Sequence, residues 1–133
     1  MRRNLKDMNW TIVFFMVLVA AGLLLMQRGG QISEQDALEH LKKGALVIDV
    51  RTPSEFASGH LANAINLPLD AMEASLPRRV RDKNQVLLLH CQSGVRSSVA
   101  RKKANALGYA SAFNLGGYAR ASKIVNDKFA TFG

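Results

Sequence analysis

Two short runs limit the folds open to this chain more than any other feature: "ALVIDV" at residues 45–50 and "QVLLLH" at residues 85–90. Both are nearly continuous in branched apolar residues and lack the alternation of a strand with one solvated face, so each reads as a strand buried on both sides. Helical patterns separate them. Ser33 followed by Asp36 resembles a capping box, Ala37, Leu38 and Leu41 share one helical face, and Gly44 stops that helix. "TPSEFASGH" places Pro53 at a first helical position and predicts one short helix and a turn. "NAINLPL" predicts a short strand, and "DAMEASLPRRV" a helix that Pro77 ends. A helix starting near Ser97 repeats Val99, Ala100, Ala104 and Leu107 as its apolar face, with Gly108 as the stop. "SAFNL" is a last strand and "GGYARASKIVNDKF" a closing helix. This order predicts an α/β fold, a mostly parallel central sheet with helices on both faces and right-handed crossovers. The 133 residues suffice for one domain of about 100 residues, and its site belongs at the carboxyl ends of the strands.

The N-terminus has a different composition. Residues 10–26, "WTIVFFMVLVAAGLLLM", contain no charge and cover roughly 26 Å as a helix, just short of a hydrocarbon core of about 30 Å. Arg2, Arg3 and Lys6 precede the run, which by the positive-inside rule keeps the N-terminus in the cytoplasm. The expected organisation is a cytoplasmic tail at 1–9, a single-pass anchor at 10–26, a flexible joint at 27–32 and a folded domain at 33–133. That domain then stands outside an inner (cytoplasmic) membrane, in a periplasmic space. A cleaved signal peptide, with the domain secreted, and a buried core helix are the alternatives, as is a cytoplasmic domain; against cleavage, Ala20, Ala21 and Gly22 fall inside the apolar run instead of after it.

The net charge of +8 divides into +3 over residues 1–30, with four Lys/Arg and one acid, and +5 over residues 31–133, with fourteen and nine. A basic domain suits small anions, anionic headgroups or nucleic acid; with no aromatic interleaving of the basic residues, nucleic acid is not expected. The runs at 78–83 and 101–103 read as solvated faces, with attraction of anions or lipid headgroups as the competing reading. One cysteine and three scattered histidines lack ligand spacing, so neither metal nor cofactor is expected.

That one cysteine sits in "LLLHCQSGVRSS". A strand to His90, a turn over residues 91–96 and then a helix bring Cys91 to the sheet's carboxyl edge, where loop and helix N–H groups form an anion nest. These dipoles and the Arg96 guanidinium favour thiolate over thiol, and the thiolate is the nucleophile. Gly94 lets the loop curl, and Ser93, Ser97 and Ser98 offer hydroxyl donors. A buried structural thiol is the competing reading. His90 precedes Cys91 by one residue and so points to the opposite face, which argues against a role as its base. His40 reads as exposed, and His60 as holding its turn through a hydrogen bond.

"HCQSGVRSS" resembles the active-site loop of single-domain rhodanese sulfurtransferases, "VIDVRTPSEFASGHLANAINLPL" resembles that family's N-terminal signature, and "FNLGGYARA" is similar to its closing double-glycine motif. The matches keep the family's order across residues 33 to about 125. The resemblance implies that Cys91 takes the sulfane sulfur of thiosulfate or a similar donor as a persulfide and passes it to cyanide or a thiol. It assigns donor and persulfide binding to Gln92, Ser93, Gly94, Val95, Arg96 and Ser97, and a supporting network to Asp49, Arg51 and His60. The loop is C-x4-R, one residue shorter than the C-x5-R of the related cysteine phosphatases and arsenate reductases, which leaves those as minor alternatives. A second alternative is a sulfur-carrying or redox-partner module that serves another protein and turns over little thiosulfate. Asn63 replaces a usual glycine in a turn that tolerates it. Ala121 replaces a common tryptophan, which predicts an opened rim or a looser last helix.

Overall fold

In the computed structural model, which describes residues 9–28 and 30–132, the two apolar runs form β1 (Leu46–Asp49) and β3 (Leu87–His90), paired in parallel with Ile48 opposite Leu89. β2 (Ile65–Asn66) adds outside β1 and β4 (Ala112–Gly116) outside β3, so the parallel sheet has the order β2-β1-β3-β4. The two central strands are covered on both faces, as their lack of alternation predicts. On one face Ile48, Leu87, Leu89 and Cys91 pack with Met72, Leu76, Ala100 and Ala104; on the other, Val47, Leu88 and Leu115 pack with Ala37, Leu41, Ala121 and Ile124. Alternate residues of one strand thus serve two cores.

The first core is closed by α4 (Met72–Arg79) and α5 (Val95–Ala106), the second by α2 (Glu34–Lys42) and α6 (Tyr118–Ser122). The Ser33 side chain accepts the Asp36 N–H at 3.1 Å and caps α2. α3 (Pro53–Ala57) has Pro53 in its first turn and a complete capping box between Thr52 and Glu55. Asn63 takes a left-handed φ of 59°.

Several sequence expectations need correction. Pro77 lies inside α4 and does not end it: the helix runs on to Arg79 because Leu76 and Val80 on either side are buried, and their packing outweighs the missing proline N–H. α5 begins two residues before Ser97, at Val95, because Gly94 already turns the chain at φ 94° as its N-cap. Val99 faces outward, 43% exposed, and the fourth-residue repeat Ala100–Ala104 carries the contact instead, together with Ser97. The closing helix is not uniform: α6 passes into a π-helical stretch (Lys123–Phe129) and a last short α7 (Ala130–Phe132). His40 is only half-exposed, because its ring stacks on Phe113 at 5.2 Å.

Residues 1–30 and 31–133 form two separate compact units. In the first, α1 (Trp10–Arg28) extends two residues beyond the expected apolar run, and the side chains of Trp10, Phe14, Phe15 and Leu23 are exposed. Among the described residues no helix is long and apolar enough to cross a membrane. The expected tail lies outside the described residues except for Asn9. The expected joint is shortened, because Ile32 is docked on the second unit: its N–H donates to Asn114 O at 2.9 Å and its carbonyl accepts from Arg120 Nη2 at 2.6 Å.

Leu89 is fully buried at the centre of the sheet. Leu89→Ala is expected to lower stability by about 3 kcal/mol, from lost transfer energy plus the cavity left behind. Urea unfolding checks this, and a loss below about 1 kcal/mol would contradict the packing described.

Candidate functional site

The site forms where β3 ends. Cys91 has no exposed surface, and the chain curls around its sulfur so that the Gly94 N–H donates to Cys91 Sγ at 3.0 Å. The curl needs glycine: at φ 94° a side chain would be strained, and a Cβ there would stand 3.4 Å from Gly117 N. The loop is held from outside by the double glycine after β4. Tyr118 N–H donates to Gln92 O at 3.1 Å, Ser93 bridges to Gly117, and a Cβ on Gly117 would lie 2.9 Å from Gln92 O. Gly117 is therefore required by close approach.

Asn114 secures the loop from below. Its Oδ1 accepts from Ser97 Oγ at 2.7 Å and from Gly116 N–H at 2.9 Å, while its Nδ2 donates to Gly94 O at 3.3 Å. Ser97 Oγ stands 3.5 Å from Cys91 Sγ. The one hydroxyl proton is shared between Asn114 Oδ1 and, at longer range, the sulfur. Both Ser97 and Asn114 are buried, so this hydrogen-bonded set is dry and directional.

Two influences act on the thiol. Burial pushes it up, whereas the Ser97 hydroxyl and amide and the amides of Gly94 and Ser93 push it down, and the balance leaves it below its ordinary value of 9.0.

Asp49 and Arg51 form a buried pair beside the loop. Arg51 Nε donates to both Asp49 oxygens at 3.0 Å, Nη2 to Asp49 Oδ2 at 2.8 Å and to Gly59 O at 2.7 Å, and Nη1 to Gln92 Oε1 at 3.4 Å. The guanidinium also lies 4.7 Å from the Tyr118 ring centre. It therefore ties β1, the Gly59 turn, the cysteine loop and α6 together. His90 is buried on the sheet face opposite Cys91, its Nε2 3.8 Å from Asp49 Oδ2 and without a hydrogen-bond partner. Burial holds its imidazole below its ordinary value against the pull of Asp49, and the neutral ring fits this dry position.

Three placements differ from expectation. His60 holds its turn through a hydrogen bond as its position suggested, Nδ1 pairing with Phe56 O at 3.0 Å and the ring stacking on Phe56 at 3.9 Å, but it is exposed and does not join the network that the resemblance implied; the neighbouring Gly59 carbonyl makes the link to Arg51 instead. Arg96 does not stand open to anions: Nη1 donates to Glu55 Oε1 at 2.7 Å and Nη2 to Glu55 Oε2 at 2.9 Å. Hydrogen bonds from Arg96 first, then from Thr52, hold the Glu55 carboxyl down at about 2. Ala121 is fully buried in the second core, so the loss of a larger side chain there does not open the rim. Gln92, Ser93 and Val95 lie on the outer side of the loop and are exposed. Glu55 and Asn114 were missed by the sequence reading, although the T-x-x-E capping signal and one polar residue inside "AFNL" marked them.

A parallel strand followed at once by a buried cysteine and an amide-lined C-x4-R turn at a helix N-terminus defines the α/β class to which this chain belongs. The rhodanese-like domain matches residues 33–123, and the chain belongs to that family. It is 34% identical over 70 residues to the thiosulfate sulfurtransferase PspE of Escherichia coli (strain K12), covering 53% of this chain and 67% of that one. Among solved structures it is similar to a rhodanese with anions from E. coli, with 31% identity and a TM-score of 0.56 over 58% of this chain and 91% of the other. It is also similar to the human single-domain sulfurtransferase TSTD1, with 27% identity and a TM-score of 0.60 over 71% and 96%. Relatives named thiosulfate sulfurtransferase and sulfurtransferase are in line with a rhodanese-type enzyme at the level of the family, and others that it matches are named tRNA uridine(34) hydroxylase.

Asn114→Ala leaves Gly94 O, Ser97 Oγ and Gly116 N–H without their shared partner. We expect a stability loss of about 2 kcal/mol and an upward move of the Cys91 ionisation midpoint, because the Gly94 and Ser97 donors lose their fixed positions. A midpoint at the parental value would contradict the role given to this side chain.

Proposed function

We propose that this chain is a sulfurtransferase that moves a sulfane sulfur through a persulfide on Cys91. The observation that carries the reading is the Gly94 N–H aimed at a fully buried Cys91 sulfur at 3.0 Å, with Ser97 Oγ at 3.5 Å. With thiosulfate as donor, the Cys91 thiolate attacks the outer sulfur. The Sγ–S bond forms, the bond to the sulfonate sulfur breaks, and the electron pair leaves with sulfite. A thiolate or cyanide then attacks the outer sulfur of the persulfide and returns Cys91 as thiolate, a two-step covalent exchange. No base is required, because the cradle favours the ionised sulfur beforehand, and His90 stands on the other face of the sheet. Relatives named thiosulfate sulfurtransferase and sulfurtransferase support the same chemistry. The six-residue loop favours a sulfur atom over the larger phosphoryl or arsenate group.

A second reading is favoured by one observation: the Arg96 fork is occupied by Glu55, which suits a carrier that receives sulfur from a protein better than an enzyme saturated by a small inorganic anion. The same proposal places the domain at the outer face of a bacterial-type inner membrane. The uncharged run at 10–26, the basic residues before it and the exposed apolar side chains of α1 support this placement.

Incubation with thiosulfate is expected to add one sulfur atom to the intact mass, located on Cys91 and removed by cyanide or a thiol. No adduct, or one that survives in Cys91→Ser, would overturn the assignment. Alkaline phosphatase fused after Gly133 is expected to be active in a Gram-negative host; an inactive but well-expressed fusion would reverse the orientation.

A further inference from the structure

Both arginines next to the cysteine loop are matched by carboxylates. Arg51 is bound to Asp49 inside the protein, and Arg96 is bound to Glu55 at its surface. The Arg96 pair uses both terminal nitrogens of the guanidinium against both carboxylate oxygens, the arrangement that would otherwise seat an oxyanion. Glu55 is itself fixed: Thr52 N–H and Oγ1 each donate to its Oε1 at 3.1 Å as part of the box that caps α3. The negative charge beside the cradle is therefore held by the local fold of α3 and does not depend on a chance rotamer.

From this arrangement we infer that Glu55 sets the donor preference of the Cys91 site, selecting monoanionic sulfane donors bonded to carbon over the thiosulfate dianion. The inference rests on the sulfurtransferase reading and narrows its substrate class. Loop amides alone meet the needs of a donor with one charge. A dianion requires an open cation as well, and here it must either displace the Glu55 carboxylate or bind beside it. Persulfides and thiosulfonates belong to the favoured class. For a thiosulfonate the exchange is the same as for thiosulfate: the Cys91 Sγ–S bond forms, the bond between the two donor sulfurs breaks, and the electron pair leaves with a sulfinate. Glu55 acts through Arg96 and is not itself a catalytic residue.

The test compares kcat/KM for thiosulfate with kcat/KM for methanethiosulfonate, whose transferred sulfur and leaving group match apart from one charge. Both are measured in the parent chain and in Glu55→Gln, at low and at high salt. Glutamine keeps the volume and the cap to Thr52 but removes the charge. The thiosulfate-to-thiosulfonate ratio is expected to rise about fivefold in Glu55→Gln, the size of one charge acting across a few ångströms of partly solvated surface, and to rise less at high salt. Because the ratio is taken on one preparation, the fraction of folded protein cancels. A ratio that is unchanged or falls, with persulfide still forming on Cys91, overturns this inference alone, and a fall means that Glu55 holds Arg96 ready for the dianion. Failure of both donors to form the adduct in the parent chain overturns the sulfurtransferase reading as well.

Discussion

A sulfur atom without exposed surface carries negative charge only where fixed donors replace the water it has lost, and this constraint shapes the architecture around Cys91. The Gly94 amide makes the direct bond. It is in place because Gly94 turns left-handed, because Gly117 lets β4 approach the loop, and because Asn114 joins the Gly94 carbonyl, the Ser97 hydroxyl and the Gly116 amide. Each requirement selects a residue for what its side chain lacks or for the number of bonds it makes. Thus two glycines and one asparagine do as much to define the site as the cysteine does.

A second layer turns this loop into an edge of the sheet. The Asp49–Arg51 pair is buried, and an ion pair in that position contributes little net stability unless its remaining donors are met. Here they are met by Gly59 O and Gln92 Oε1, with the Tyr118 ring nearby. The pair thereby converts a desolvation cost into positional order across four segments that are distant in sequence. His90 completes the buried group as a neutral ring, and its unpaired Nε2 reflects that Asp49 is already engaged by Arg51.

Features that were legible in the sequence were those set by neighbouring residues. Strand, glycine turn and helix follow one another within "LLLHCQSGVRSS", and alternation within "VLLLH" places Cys91 and His90 on opposite faces. Features that were not legible depend on distant partners. Glu55 meets Arg96 across 41 positions and Asn114 meets Ser97 across 17, and no periodicity records such pairings. Pro77 and Val99 show the limit of local rules: burial of Leu76 and Val80 overrode the proline, and Val99 lay on the outer side of α5 although its spacing suited a core position. The family resemblance implies a place for His60 in the network, but only the neighbouring Gly59 carbonyl takes part, and His60 holds its own turn through Phe56 O.

The claim on which the account stands is that buried amides and one hydroxyl stabilise the Cys91 thiolate more than burial opposes it. Because Cys91 is the single cysteine, the ultraviolet absorbance of the thiolate, followed against pH in the whole chain and corrected by Cys91→Ser for the tyrosines, reports on it directly. An acid whose folded value is lowered ionises at lower pH, so the expected midpoint lies below that of a free cysteine, about 8.5, and moves upward in Ser97→Ala. A midpoint at or above that of a free cysteine would contradict it.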